Sequence, residues 1–142
     1  MGFSAKTTYG LLALLELAGV ETSGERLHVG EIAARQAIPE RYLEQMMSSL
    51  RRGGLVRSVR GARGGYLLAR PAAQIALADV IRCLEGNTTD PAPCQGSFEL
   101  QVISALAQEL RDQRETKLQA ITLLDLLSER DAMLQAQAMY FI

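Results

Sequence analysis

Within "RSVRGARGGYLLARP" (residues 57–71), three arginines, Arg57, Arg60 and Arg63, stand among Gly61, Gly64 and Gly65. A guanidinium is permanently charged and planar, and its donors form a fork that meets a phosphate with two parallel hydrogen bonds. Glycine lets a backbone turn through conformations that a Cβ forbids and approach a ligand closely. Cationic side chains on a glycine-rich loop therefore suit a phosphate-bearing partner. A phosphate-cradling P-loop or a dinucleotide-binding turn leads from strand to helix with a different glycine spacing. Here a second apolar run, "GYLLA", follows the loop instead. A plain hairpin turn explains Gly64 and Gly65 but leaves Arg60 and Arg63 without a reason.

The basic charge is local. The chain as a whole carries a net charge of −1. Residues 1–70 hold ten Lys/Arg and six Glu (+4), whereas residues 71–142 hold five Lys/Arg and ten acids (−5). Between Arg51 and Arg70 there are six arginines and no acid. A basic patch on an otherwise acidic chain is the electrostatic footprint of a polyanion. A solvated basic face has the same composition, so the order of the surrounding elements must decide.

That order is legible from caps and periodicity. A helix is expected over residues 4–20, capped by Ser4, with Leu11, Leu12, Leu14, Leu15 and Ala18 as its apolar stripe. "GVETSGERLH" breaks it, and residues 29–36 form a short second helix with Val29, Ile32 and Ala33 inward. Pro39 opens a third helix, where its missing N–H costs nothing, and Gly53 and Gly54 close it. On that third helix Leu43, Met46, Met47 and Leu50 share one face, and Arg41, Glu44, Gln45, Ser48 and Arg52 share another. "LVRSV" and "GYLLA" then form a β-hairpin around "RGARG".

Three short helices followed by a two-stranded hairpin spell a winged helix-turn-helix, in which the third helix enters the DNA major groove and the wing lies beside it. The expected fold is therefore mainly α with a small β-hairpin. Residues 1–75 would form the DNA-binding domain, and residues 76–142 a linker or sensor loop with dimerisation helices. In that second part residues 77–85 read as a helix, "GNTTDPAPCQG" as a turn-rich loop, and residues 97–118 as the longest helix, capped by Ser97. Residues 121–130 read as a short helix and "DAMLQAQAMYFI" as an apolar tail that needs cover. On the long helix Val102, Ile103, Leu106, Leu110 and Leu118 form a stripe that either the first helix or a second copy of the chain would cover; a homodimer is the preferred reading.

The stretches "YLEQMMSSLRRGGLVRSVRGARGGYLLAR" and "SAKTTYGLLALLELA" resemble the Rrf-two family of bacterial transcriptional regulators, strongly over residues 1–85 and more loosely over the long helix. The resemblance implies a homodimer that reads a palindromic DNA operator, here taken as a repressor. It makes Arg41, Tyr42, Glu44 and Gln45 the groove-facing candidates, while the polar stripe adds Ser48. It also matches Arg60 and Gly61 to the wing, with Arg63 where the family is usually small, and Lys6 and Tyr9 to the first helix. For Tyr42 core packing and phosphate contact both stay open, as do phosphate contact and simple solvation for Lys6.

Cluster-binding members of the family place three cysteines in the loop before the long helix, usually with a histidine or another residue completing the set. Only Cys94, in "PCQG", matches. An iron–sulfur cluster normally takes four thiolate or imidazole ligands, so the usual set is absent. A cluster completed across a dimer, a redox-sensitive thiol at Cys94, and no role for it stay open together. Cys83 reads as a small buried hydrophobe, and His28 as a surface residue.

No uncharged apolar run is long enough to span a membrane. The leucine-rich start is interrupted by Glu16 and lacks a basic leader region, so a cytoplasmic location is expected. No nucleophile–base pair or metal-ligand spacing suggests an enzyme. The rival to DNA binding is a winged-helix module that docks on a protein partner.

Overall fold

The computed structural model describes residues 2–86 and 95–140. Helix α1 spans Ala5–Gly19, α2 Val29–Gln36 and α3 Glu40–Arg52; strands β1 (Val56–Val59) and β2 (Gly65–Leu68) follow, then α4 (Leu77–Glu85), α5 (Phe98–Ala120) and α6 (Leu123–Tyr140). Six helices and one antiparallel hairpin make the fold mainly α with a small β-hairpin, as the sequence predicts.

Local signals set the boundaries. Ser4 accepts a hydrogen bond from the Thr7 N–H at 3.1 Å, and Ser97 accepts one from Leu100 at the same distance, so each caps the helix it precedes. Three residues, Ala37–Pro39, join α2 to α3, as a helix-turn-helix requires. The chain leaves α3 through Gly53 and Gly54, the latter at φ 77°.

The core gathers around α1. Leu14 and Leu17 of α1, Ile32 of α2, and Leu43, Met46, Met47 and Leu50 of α3 are all buried, together with Leu55, Val56 and Ile75. Helix α4 closes the same core with Leu77, Val80 and Leu84, and Leu118 and Leu123 bring in α5 and α6. The inward face of α3 is therefore the one that leaves Arg41, Glu44 and Gln45 exposed.

The hairpin pairs Val56 with Leu68 and Val59 with Gly65. It is not left to hang: Leu27, just before α2, exchanges two backbone hydrogen bonds with Tyr66, at 3.1 and 2.8 Å. A second backbone exchange, Leu77 N–H to Ile121 O at 2.9 Å and Leu123 N–H to Ile75 O at 3.0 Å, ties the start of α4 to the α5–α6 joint.

One sequence expectation is corrected. The short last helix and the apolar tail are a single 18-residue helix, α6. "SERDAMLQAQAM" contains no breaker and is rich in strong helix formers, so nothing stops the helix at residue 130. Its distal half, including Met133, Leu134, Met139 and Tyr140, is exposed on the single chain. At 23 residues α5 is about 35 Å long. Val102, Ile103, Leu106 and Leu110 are 56–70% exposed along it, whereas Leu118 reaches the core.

Candidate nucleic-acid interface

The outer face of α3 carries the expected polar stripe. Arg41, Glu44 and Gln45 are exposed and Ser48 is half-buried. Lys6, from the first turn of α1, joins them across a groove of about 450 Å³ lined by Lys6, Tyr42, Gln45, Ser48, Ser49 and Arg52. Tyr42 is half-buried, and its ring stands edge-on to that of Tyr9, with centroids 5.8 Å apart. Edge-to-face packing of this kind fixes the rings of the α1–α3 contact.

The wing adds a second cationic surface. Arg57, Arg60 and Arg63 are exposed, and Gly61, in the loop between the strands, has φ 107° and open space where a Cβ would stand. Glycine at this position answers to the backbone angle rather than to crowding. Gly64 answers to crowding: a Cβ there would lie 2.1 Å from the Val59 carbonyl oxygen.

Most arginines of the patch are unpaired. Arg70 pairs with Asp79 at 3.7 Å, but among the described residues Arg41, Arg51, Arg52, Arg57, Arg60 and Arg63 make no ion pair. Elsewhere the chain does pair its arginines, as in Arg35 with Glu16 at 3.1 Å and Arg82 with Glu115 at 3.4 Å. Glu44 on α3 and Glu25 and Glu31 near Arg63 share this face, but cations held there outside ion pairs attract a polyanion at long range.

Two residues on this face escaped the sequence reading. Arg26 donates from Nη1 to the Arg63 carbonyl at 3.3 Å and so braces the wing from the α1–α2 turn. Only the long-range pairing of Leu27 with Tyr66 brings it there, and no local pattern could reveal that. Ser49 lines the groove, and its hydroxyl donates to the Gln45 carbonyl at 3.2 Å.

Glu85, the last residue of α4, is the other unforeseen participant. Thr7 Oγ1, on a fully buried residue, donates to Glu85 Oε1 at 2.8 Å, and the Ser4 hydroxyl donates to the same oxygen. The hydrogen bonds from Ser4 and Thr7 hold the carboxyl below its usual range, and Arg114 and Lys6 assist. A group whose folded pKa is depressed stabilises fully above its ordinary value and loses that contribution as pH falls through the depressed one. Below the ordinary glutamate range the parent should therefore lose stability faster than Glu85→Gln, as thermal melts across the acid limb would show.

Neither described metal donor is placed for a cluster. The Cys83 thiol donates to the Ser49 carbonyl at 3.1 Å, and burial pushes its pKa up, the opposite of a thiolate ligand. It is half-buried. His28 is an exposed residue at the start of α2, beside the wing. Cys94 lies outside the described residues. With two cysteines and one histidine in the whole chain, the usual cluster ligand set does not fit. Among the described residues no three His, Cys, Asp or Glu side chains gather into a metal site.

A helix-turn-helix with an arginine-bearing wing braced against it is the architecture of a winged-helix DNA-binding protein. The chain belongs to the Rrf2 family, whose model, described as an iron-dependent transcriptional regulator, matches residues 3–129. It is 37% identical to the HTH-type transcriptional regulator IscR of Cronobacter sakazakii over 138 residues, covering 94% of this chain and 84% of that one. Among solved structures it is similar to T. potens IscR (35% identity, TM-score 0.77, 92% of this chain and 88% of that one). It is equally close in shape to CymR, the global cysteine regulator of B. subtilis (34% identity, TM-score 0.77, 91% and 98% covered). These relatives are regulators of transcription rather than enzymes, and the chain is a DNA-binding transcriptional regulator of their type. No helix among the described residues is long and apolar enough to cross a membrane.

Proposed function

We propose that the protein is a homodimeric repressor that reads a palindromic operator through α3 and the wing. The observation that carries this reading is the union of two surfaces: the groove joining Lys6 to α3, and the wing arginines, which make no ion pair among the described residues. Arg60, Gly61 and Arg63 would meet the backbone or minor groove. Arg41, Tyr42, Glu44, Gln45 and Ser48 would face the major groove, with Lys6 on a flanking phosphate.

Residues 1–75 supply this surface and residues 76–142 the linker or sensor loop and the dimer contacts. The division is one of roles, since α4 packs in the same core as α1 and α3. The exposed stripe of Val102, Ile103, Leu106 and Leu110 supports the dimer. Two copies related by a two-fold axis would place two α3 helices about one helical turn of DNA apart.

Glu44 is the specificity residue of this proposal. A carboxylate repels phosphate and accepts from cytosine N4, so it selects among sequences more than it adds affinity. Glu44→Ala should change the sequences enriched from a random duplex library while total affinity holds or rises. Enrichment of the parental sequences at parental ratios would remove Glu44 from the readout.

Iron or redox responsiveness rests on Cys94. Purification without oxygen, followed by iron and sulfide assays, tests it. Stoichiometric iron would mean a cluster completed by ligands outside the usual set, and an iron-free protein that still binds its duplex would leave thiol chemistry or a ligand as the signal. A docking module for a protein partner, the rival reading, would show a main binding event indifferent to salt.

A further inference from the structure

The first turn of α1 has an unusual anchor. Its cap, Ser4, accepts from the Thr7 N–H and donates its own proton to Glu85, on a helix 81 residues away in sequence. Thr7, buried completely, spends its hydroxyl on the same carboxylate oxygen. One carboxylate thus satisfies both hydroxyls of the turn and lies at the positive end of the helix dipole. Between Ser4 and Thr7 in sequence is Lys6, half-buried, whose ammonium adds to the charges acting on Glu85 and which lines the groove beside Gln45, Ser48 and Arg52. The positive charge of Arg114, on α5, also acts on Glu85.

We infer that Glu85 is a positioning residue for DNA binding: through Ser4 and Thr7 it fixes the first turn of α1 so that Lys6 stands at the edge of the α3 groove. The inference rests on the reading of Lys6 as a phosphate contact. It is distinctive because field and positioning act in opposite directions. Glu85 is an anion close to the proposed DNA surface, so deleting its charge alone strengthens binding to a polyanion. Deleting its hydrogen bonds frees the turn, and Lys6 then loses its phosphate. Glu85→Gln keeps an acceptor oxygen for both hydroxyls and removes only the charge. Thr7→Val keeps the shape of the buried side chain and removes one donor.

The test is a fluorescence-anisotropy titration, over a salt series, of a duplex selected on the parent protein from a random library. Each duplex would meet two Lys6 side chains of the homodimer, so Lys6→Ala should lower the slope of log affinity against log salt by about two. Glu85→Ala should weaken binding by about three- to tenfold and lower the slope similarly, Thr7→Val should act in the same direction, and Glu85→Gln should bind at least as well as the parent. In a Lys6→Ala background Glu85→Ala should cost no further affinity, although its effect on the melting temperature persists. If Glu85→Ala binds as tightly as Glu85→Gln while Lys6→Ala weakens, the positioning role is overturned and the Lys6 contact stands. An equal loss from Glu85→Ala with and without Lys6 overturns it too. If Lys6→Ala keeps the parental slope, the phosphate contact itself is wrong. Should Glu85→Ala fail to fold, Thr7→Val decides by the same criteria.

Discussion

Replacing Arg60 and Arg63 together by alanine removes four guanidiniums from a bound homodimer, and should weaken binding to every duplex by roughly ten- to hundredfold and lower the salt slope by about four. Both guanidiniums are exposed on the wing, and neither has an acidic partner among the described residues. Their removal therefore breaks no ion pair. The brace from Arg26 is kept too, because Arg63 contributes its backbone carbonyl, not its side chain, to it. The melting temperature should stay near the parent's. Because phosphate contacts carry no sequence information, the ranking of sequences should also be kept while all affinities fall. Parental affinity in this double variant would remove the wing from the interface.

Gly64→Ala should have the second large effect, and by a different route. The new Cβ would lie 2.1 Å from the Val59 carbonyl oxygen and 2.9 Å from both the Arg60 carbonyl carbon and the Gly61 carbonyl oxygen. All three are backbone atoms of the same tight hairpin, so no side-chain rotation relieves the clash. Closing the loop also uses the Gly64 N–H, which donates to Gly61 O at 2.9 Å. The hairpin must open to admit the methyl group, at a cost of about 1–3 kcal/mol. DNA affinity should then fall at least as far as in the arginine double variant, with a lowered melting temperature as the distinguishing mark. Helical circular dichroism should stay close to the parent's, since the buried core of α1, α3 and α4 lies outside the loop. A Gly64→Ala protein with the parental melting temperature would mean that the loop is not held as described.

These two substitutions separate what the sequence reveals about the wing from what it hides. Arginine and glycine in "RGARGG" already point to a phosphate-binding hairpin. Which glycine serves which purpose depends on geometry: Gly61 on a φ of 107°, Gly64 on an approach of its own backbone. Elsewhere, elements bounded by local chemistry were legible. Ser4, Ser97 and the Gly53–Gly54 pair mark helix ends because each acts within four residues of itself. The continuity of α6 was lost because exposed Met133, Leu134 and Met139 suggested a tail in search of cover, whereas helix propensity alone carries the helix to Tyr140.

The candidate site divides in the same way. The periodicity of α3 alone separates Leu43, Met46 and Leu50 from Arg41, Glu44 and Gln45. Arg26 and Glu85 were invisible because their partners, Arg63 and the Ser4–Thr7 pair, are 37 and about 80 residues away. The link from the end of α4 to the first turn of α1 is a tertiary fact that no window of sequence contains.

The most direct test of the account is the salt dependence of the parent protein on its own selected duplex. Anisotropy titrations over a range of monovalent salt should give a straight line of log affinity against log salt, with a steep negative slope of several units, as expected when Lys6, Arg60, Arg63 and their symmetry mates displace counterions. A flat line, or no sequence enriched from the random library, would contradict the claim that α3 and the arginine wing form a DNA-reading surface.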